Sequence, residues 1–233
     1  VDFIQPDHVR EEYLVIEGLE KEYELLFLTD THVIVQSEED DAQITANAEL
    51  RFPIFVDAAG VSSAEQFPYW MEYANEREVD AVLFGGDIID YPSSSNVEFL
   101  NENLFELKMP YLYTLGNHDW TYPWEYMTEK AQTEYIPALQ PMIDEDGVIQ
   151  VLDMEDFYVV SVDNSSGQIN PEALERYEEI LAQGKPVIVM IHVPYATQQL
   201  LAKDEILWDS PVVIGAGNYG GIYPSEESTA FIE

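Results

Sequence analysis

Tyr111-Leu112-Tyr113-Thr114-Leu115-Gly116-Asn117-His118-Asp119 is an apolar run that stops at a glycine and then delivers an amide, an imidazole and a carboxylate in succession. Aromatic and aliphatic side chains at this density fit a covered, pleated surface, so residues 111–115 are expected to form a buried strand. The polar residues then fall just beyond its carboxyl end, where α/β sheets build their sites. Three other runs share the design: Leu25–Leu28 precedes Asp30 and His32, 82–84 precedes Asp87, and 187–191 precedes His192. The chain has four histidines, and three of them stand at these strand ends. The fourth, His8, has no motif around it and reads as a surface residue.

Helical signals separate the strands. Ser62 or Ser63, with Glu65 and Gln66 at capping-box spacing, opens a helix expected to run to about Glu76. Serines 93–95 cap a helix carrying Val97, Leu100, Leu104 and Leu107, which Pro110 ends. After Trp124 a helix is expected to about Tyr135, followed by two short strands, 148–152 and 157–162, turning at 153–156. Asn170-Pro171 places a cap before a proline at the first helical position, and Gly184 closes that helix. Residues 37–57 are acidic and read as an irregular surface excursion, and Ser225 begins a last helix. Recurring strand-then-helix units over 233 residues favour one α/β domain spanning 1–233.

Composition narrows the chemistry. No cysteine is present, so disulfides and thiolate metal sites are excluded and His, Asp, Glu and Asn remain as ligands. There are 46 acidic residues against nine basic ones, for a formal charge of −37. That balance offers no basic surface for nucleic acid or an anionic membrane, and no run of eighteen apolar residues suggests a membrane span. The expectation is a folded soluble protein, with its compartment open because the chain starts at Val1 and lacks cysteine. An anionic substrate would be repelled by the overall field, which calls for strong local positive charge such as bound metal.

The residues at the strand ends have metal-binding chemistry. In an extended backbone Asp30 and His32 project to the same side, so one cation can take both. Gly85 and Gly86 clear space beside Asp87, letting that carboxylate bridge two ions. Asn117 offers an amide oxygen, and His118 has in Asp119 a carboxylate neighbour able to orient it. Taken singly, Asp30 or Asp87 reads as a turn residue and His118 as a core histidine. Chance placement of all of them at four strand ends is a much weaker account.

In this order, Asp30-x-His32, Gly86-Asp87, Gly116-Asn117-His118-Asp119 and then His192, the chain resembles the calcineurin-like metallophosphoesterase family in its bacterial branch, from about Tyr23 onward. The resemblance implies a four-layer αββα sandwich with two mixed β-sheets flanked by helices. It also implies two divalent ions, Mn, Fe or Zn, one on Asp30, His32 and Asp87 and the other on Asp87, Asn117 and His192. By the same resemblance a metal-bridging hydroxide attacks a phosphomonoester or phosphodiester in line, with His118 on the leaving-group side and Asp119 holding its ring. The substrate could be a small molecule or a macromolecule. The family normally completes the site with Gly-His-x-His, whereas no histidine follows His192. The expectation is therefore a chain cut before its last strands, and the alternative is an inactive relative that keeps the scaffold for binding or regulation. Trp120 and Tyr195, each within three residues of a candidate site residue, are expected near substrate.

Overall fold

Parallel pairing of β1 (Leu25–Leu28), β2 (Ala81–Phe84) and β3 (Tyr111–Tyr113) makes one sheet in the order β1-β2-β3. A second sheet joins β4 (Ile149–Asp153), β5 (Tyr158–Val162) and β6 (Val187–Met190), with β4 antiparallel and β6 parallel to β5. The computed structural model describes residues 9–125, 127–143, 147–207, 213–215 and 221–233. His8 and most of the glycine-rich loop after Gly215 lie outside them. Among the described residues both sheets have three strands; the first is wholly parallel and the second mixed, where the resemblance implies two mixed sheets.

Side-chain alternation along the strands arranges the layers. On β2, Val82 and Phe84 pack against Phe67, Met71 and Ala74 of α2 (Ser63–Arg77) and Leu100 and Leu104 of α3 (Ser94–Phe105). The intervening Ala81 and Leu83 join Leu112, Met154, Phe157, Val159 and Met190 between the two sheets. Beyond the second sheet, Val160 and Val162 meet Ala173 and Ile180 of α5 (Pro171–Leu181) and Phe231 of the C-terminal helix Glu226–Ile232. Helices, sheet, sheet and helices therefore follow one another as four layers.

Caps fix where the helices begin. Ser62 and Glu65 exchange hydrogen bonds in a full capping box, Ser93 caps α3, and Asn170 caps α5 ahead of Pro171. The stretch 37–57 departs from its expected irregularity: it holds α1 (Ala42–Arg51), and a 3-10 turn, Phe52–Phe55, follows. Asp41 starts that helix by accepting from the backbone of Gln43 and Ile44. With Leu50 73% exposed and Asn47 buried, α1 has no clean apolar stripe by which to be recognised. The remaining helices are α4 (Glu129–Tyr135) and α6 (Gln198–Leu207), so the last one is α7. Among the described residues no helix is long and apolar enough to cross a membrane.

Pairing continues past the strand ends and sets up the site. Asp30 N–H donates to Gly86 O at 3.0 Å, His32 N–H to Asp87 O at 3.0 Å and Val33 N–H to Ile88 O at 2.8 Å. The loops after β1 and β2 are thereby laced side by side.

Candidate metal centre

Asp87 stands at the middle of the cluster, 5% exposed. His192 Nε2 lies 3.3 Å and His32 Nε2 3.8 Å from its Oδ2, while its Oδ1 accepts the His118 backbone N–H at 2.8 Å. Two groups share this carboxylate: Asp30, Asp87 and His192, and His32, Asp87 and His118, the ligand atoms within each lying inside 4.8 Å of one another. Asn117 is in the same loop, between Gly116 and His118, and its carbonyl accepts from Thr121 Oγ1 at 2.7 Å.

Asp30 and His32 fall in different groups because the backbone between them is not extended. Their φ angles are 52° and 45°, and Asp87 has 52°. The same-side argument from an extended chain therefore fails here: left-handed residues turn the two side chains toward different partners of Asp87.

The imidazoles are each tied at Nδ1. His192 Nδ1 faces Gly85 O at 3.0 Å, His32 Nδ1 faces Asp90 Oδ1 at 3.0 Å, and His118 Nδ1 faces Asp90 O at 2.8 Å. An oxygen acceptor at Nδ1 places the proton there in the neutral ring and leaves Nε2 as the lone-pair donor, the state a metal ligand needs. His192 is held further by Asn164, whose Oδ1 accepts the backbone N–H of His192 and Val193, each at 3.0 Å.

Asp119 requires a correction. It does not hold the His118 ring; its carboxylate is fully buried and turned the other way. Oδ2 accepts from Asp87 N–H at 3.0 Å and Gly116 N–H at 2.7 Å, and Oδ1 from Ile88 N–H, Ile89 N–H and Tyr113 O–H at 3.0, 3.2 and 2.9 Å. The loop after β3 swings this side chain under the loop after β2, so it fastens the floor of the site. Burial and the charge of Asp87 push its carboxyl up to about 6, against the hydrogen bonds from Gly116, Tyr113 and Ile89. The residue beside His118 is Asp90, 3.3 Å from its Nδ1. Sequence reasoning passed over Asp90, although its spacing from Asp87 was visible. Trp120 is likewise core, 1% exposed with Nε1 donating to Ser165 Oγ at 2.8 Å, and Tyr195 packs on Phe231.

Charges are coupled across the cluster. Burial works against the Asp90 carboxylate, yet hydrogen bonds from His118, His32 and Arg51 hold it far below the usual range. For His192 burial favours the neutral ring, but the hydrogen bond and charge of Asp87 overcome it and raise the imidazole to about 9. His118 is raised as well, its burial outweighed by Asp90 and Asp87. Small residues make the room: a Cβ on Gly116 would lie 2.1 Å from Asp87 N, and one on Gly86, where φ is +94°, would lie 2.6 Å from His192 Nδ1.

The profile of the calcineurin-like phosphoesterases matches residues 23–221. The chain belongs to that family. Two relatives, each described as an uncharacterized metallophosphoesterase, come from Helicobacter pylori: the protein of strain 26695 is 25% identical over 218 residues, and that of strain J99 is 24% identical over 221. Each alignment covers 93% of this chain and 50% of the relative, so the chain spans about half the length of the curated relatives it matches. A solved structure of a dimetal phosphatase from Danio rerio superposes over 75% of this chain and 70% of its own, with a TM-score of 0.48 and 11% identity. As a calcineurin-like phosphoesterase the chain has His and Asp groups suited to divalent ions, and the donor set is one of hard and borderline ligands.

Proposed function

We propose that residues 1–233 hold a single metallophosphoesterase domain that hydrolyses a phosphomonoester or phosphodiester with the help of two divalent ions. The observation that carries this reading is the central carboxylate of Asp87, approached by the Nε2 atoms of His192 and His32 from two neighbouring donor groups. Asp30, His32, Asp87, Asn117 and His192 would hold the ions, with Asp87 common to both. Bound there, divalent ions neutralise charge on phosphoryl oxygens and make water acidic enough to serve as a nucleophile. The acceptors at Nδ1 of His32 and His192 fix the tautomer of the neutral ring, so that its lone pair is on Nε2 and faces Asp87.

His118 has a different task. With Nδ1 engaged by Asp90 O and its protonated form favoured by nearby carboxylates, the ring can hold a proton at Nε2 for the leaving oxygen. Asp119 supports it only indirectly, by fixing the loop that carries it. The overall charge of −37 makes local cations the means of admitting an anionic substrate.

A second reading, an inactive relative that uses the scaffold for binding or regulation, draws on one observation: the two described donor groups have three residues each and share Asp87, which leaves few donors per ion. Mn²⁺ titration followed by calorimetry tests both. Saturable binding that Asp87→Asn abolishes, with hydrolysis of p-nitrophenyl phosphate or its diester, supports the enzyme. Binding that Asp87→Asn leaves intact in a folded protein would overturn the proposed centre, and binding without turnover would favour the second reading.

A further inference from the structure

Building on the metallophosphoesterase reading, we propose that Arg51 and Phe55 are positioning residues: Arg51 sets the rings of His32 and His118 through Asp90, and Phe55 sets that of His32 by stacking on it. Asp90 is 0% exposed and takes an unusual load. Its Oδ1 receives His32 Nδ1 at 3.0 Å, His118 Nδ1 at 3.3 Å and Arg51 Nη2 at 2.6 Å, and its Oδ2 receives Arg51 Nε. Two imidazoles thus crowd one residue: His32 Nδ1 uses Asp90 Oδ1, while His118 Nδ1 lies between that oxygen and the Asp90 carbonyl, its nearer acceptor at 2.8 Å. A carboxylate held only by them would turn about its Cβ–Cγ bond toward either ring. The planar guanidinium grips both oxygens at once and fixes the carboxylate plane, which a lysine ammonium cannot reproduce.

The same segment acts on the other side of the ring. Phe55 stacks on His32 with centroids 4.5 Å apart and planes inclined by 14°, and the Arg51 guanidinium lies 5.5 Å from the Phe55 centroid. His32 in turn meets His118 edge-on at 4.6 Å. Arg51 closes α1 and Phe55 ends the 3-10 turn that follows, so this one short element touches both the carboxylate and the ring. His192 is outside the arrangement. Its Nδ1 uses Gly85 O and its backbone uses Asn164, so among the described residues it has no hydrogen bond to Asp90 or Arg51 and shares with His32 only the Asp87 Oδ2 that both Nε2 atoms face.

A mere tether between α1 and the sheet would stabilise the fold without addressing the rings individually. Imidazole nitrogen–proton spectra of the chelator-treated full chain separate the two, because four histidines give few signals. Arg51→Met is expected to shift or broaden the ring signals of His32 and His118 and leave those of His192 in place. Phe55→Leu should move His32 alone, and Arg51→Lys should restore the rings only in part. With Mn²⁺ added, kcat in Arg51→Met should fall about tenfold at nearly constant KM, the scale of lost support behind a ligand. Unchanged His32 and His118 signals in a destabilised Arg51→Met protein would overturn the proposal, as would equal shifts of His192. If Arg51→Met does not fold, Phe55→Leu and Arg51→Lys decide the matter by the same signals. Ring signals that respond as expected in a chain that hydrolyses no phosphoester would leave the positioning role standing and sink the enzyme reading.

Discussion

Asp119→Ala is expected to be chiefly a stability lesion, felt with no metal present. The carboxylate accepts from four backbone N–H groups and the Tyr113 hydroxyl, all in the buried floor of the site. A buried donor that loses its partner costs about 1–3 kcal/mol, so even the low end of that range gives roughly 5 kcal/mol for the set. Relief of the buried charge works the other way. A carboxyl raised from 3.8 to about 6 carries a burden of about 3 kcal/mol in its ionised form, which alanine does not share. The donors win by about 2 kcal/mol at least, and by more at their middle values. For a chain of this size that lowers Tm by about 4–8 °C or further.

The pH dependence sharpens the test. Because the folded-state value lies above the unfolded one, wild-type stability from this group is greatest below 3.8 and declines as pH rises through about 6. The deficit of Asp119→Ala should therefore narrow across that window. Thermal melts in chelator, run over a pH series, measure both effects. A variant that melts with wild type while losing turnover would refute the reasoning and return Asp119 to His118 as its partner.

Two other outcomes follow from the site. His192 is raised from 6.5 to about 9, so its pairing with Asp87 stabilises the fold below 6.5 and that support is lost as pH rises through 9. In chelator Tm should fall over that range by the equivalent of roughly 3 kcal/mol, and a flat profile, or one that Asp87→Asn leaves unchanged, would contradict the pairing. Gly116→Ala would drive a methyl to 2.2 Å from Asp87 Oδ1 and should cost several kcal/mol, of order 3, together with Mn²⁺ binding. A melt within about 2 °C of wild type and intact binding would disprove the tight approach.

Much of this was legible because the strands and caps are written locally. Ala81–Phe84, with its covered faces, and Ser62 with Glu65 need only near neighbours to be recognised. Partners chosen across the fold are harder. Asp119 is next to His118 in sequence, yet Asp90, 28 residues earlier, receives the ring, because the loop after β3 points consecutive side chains to opposite sides. Asp90 itself follows Ile88 and Ile89, both wholly buried, and has no histidine beside it in sequence to mark it. Arg51 was hidden with α1, whose Asp41 cap was the one signal present. Left-handed backbone at Asp30 and His32 leaves no mark in residue type when the residue is not glycine.

Those left-handed angles bear on how such a protein drifts. Asp30, His32 and Asp87 each occupy a conformation that disfavours side chains bearing a Cβ by about 1 kcal/mol or more, and asparagine or glycine would relax it. On the proposed reading, the positions that would hold metal are therefore ones where the fold gains by giving up the ligand. A lineage released from selection for catalysis would move downhill in folding free energy as it lost its ions, arriving at a sturdier, silent scaffold.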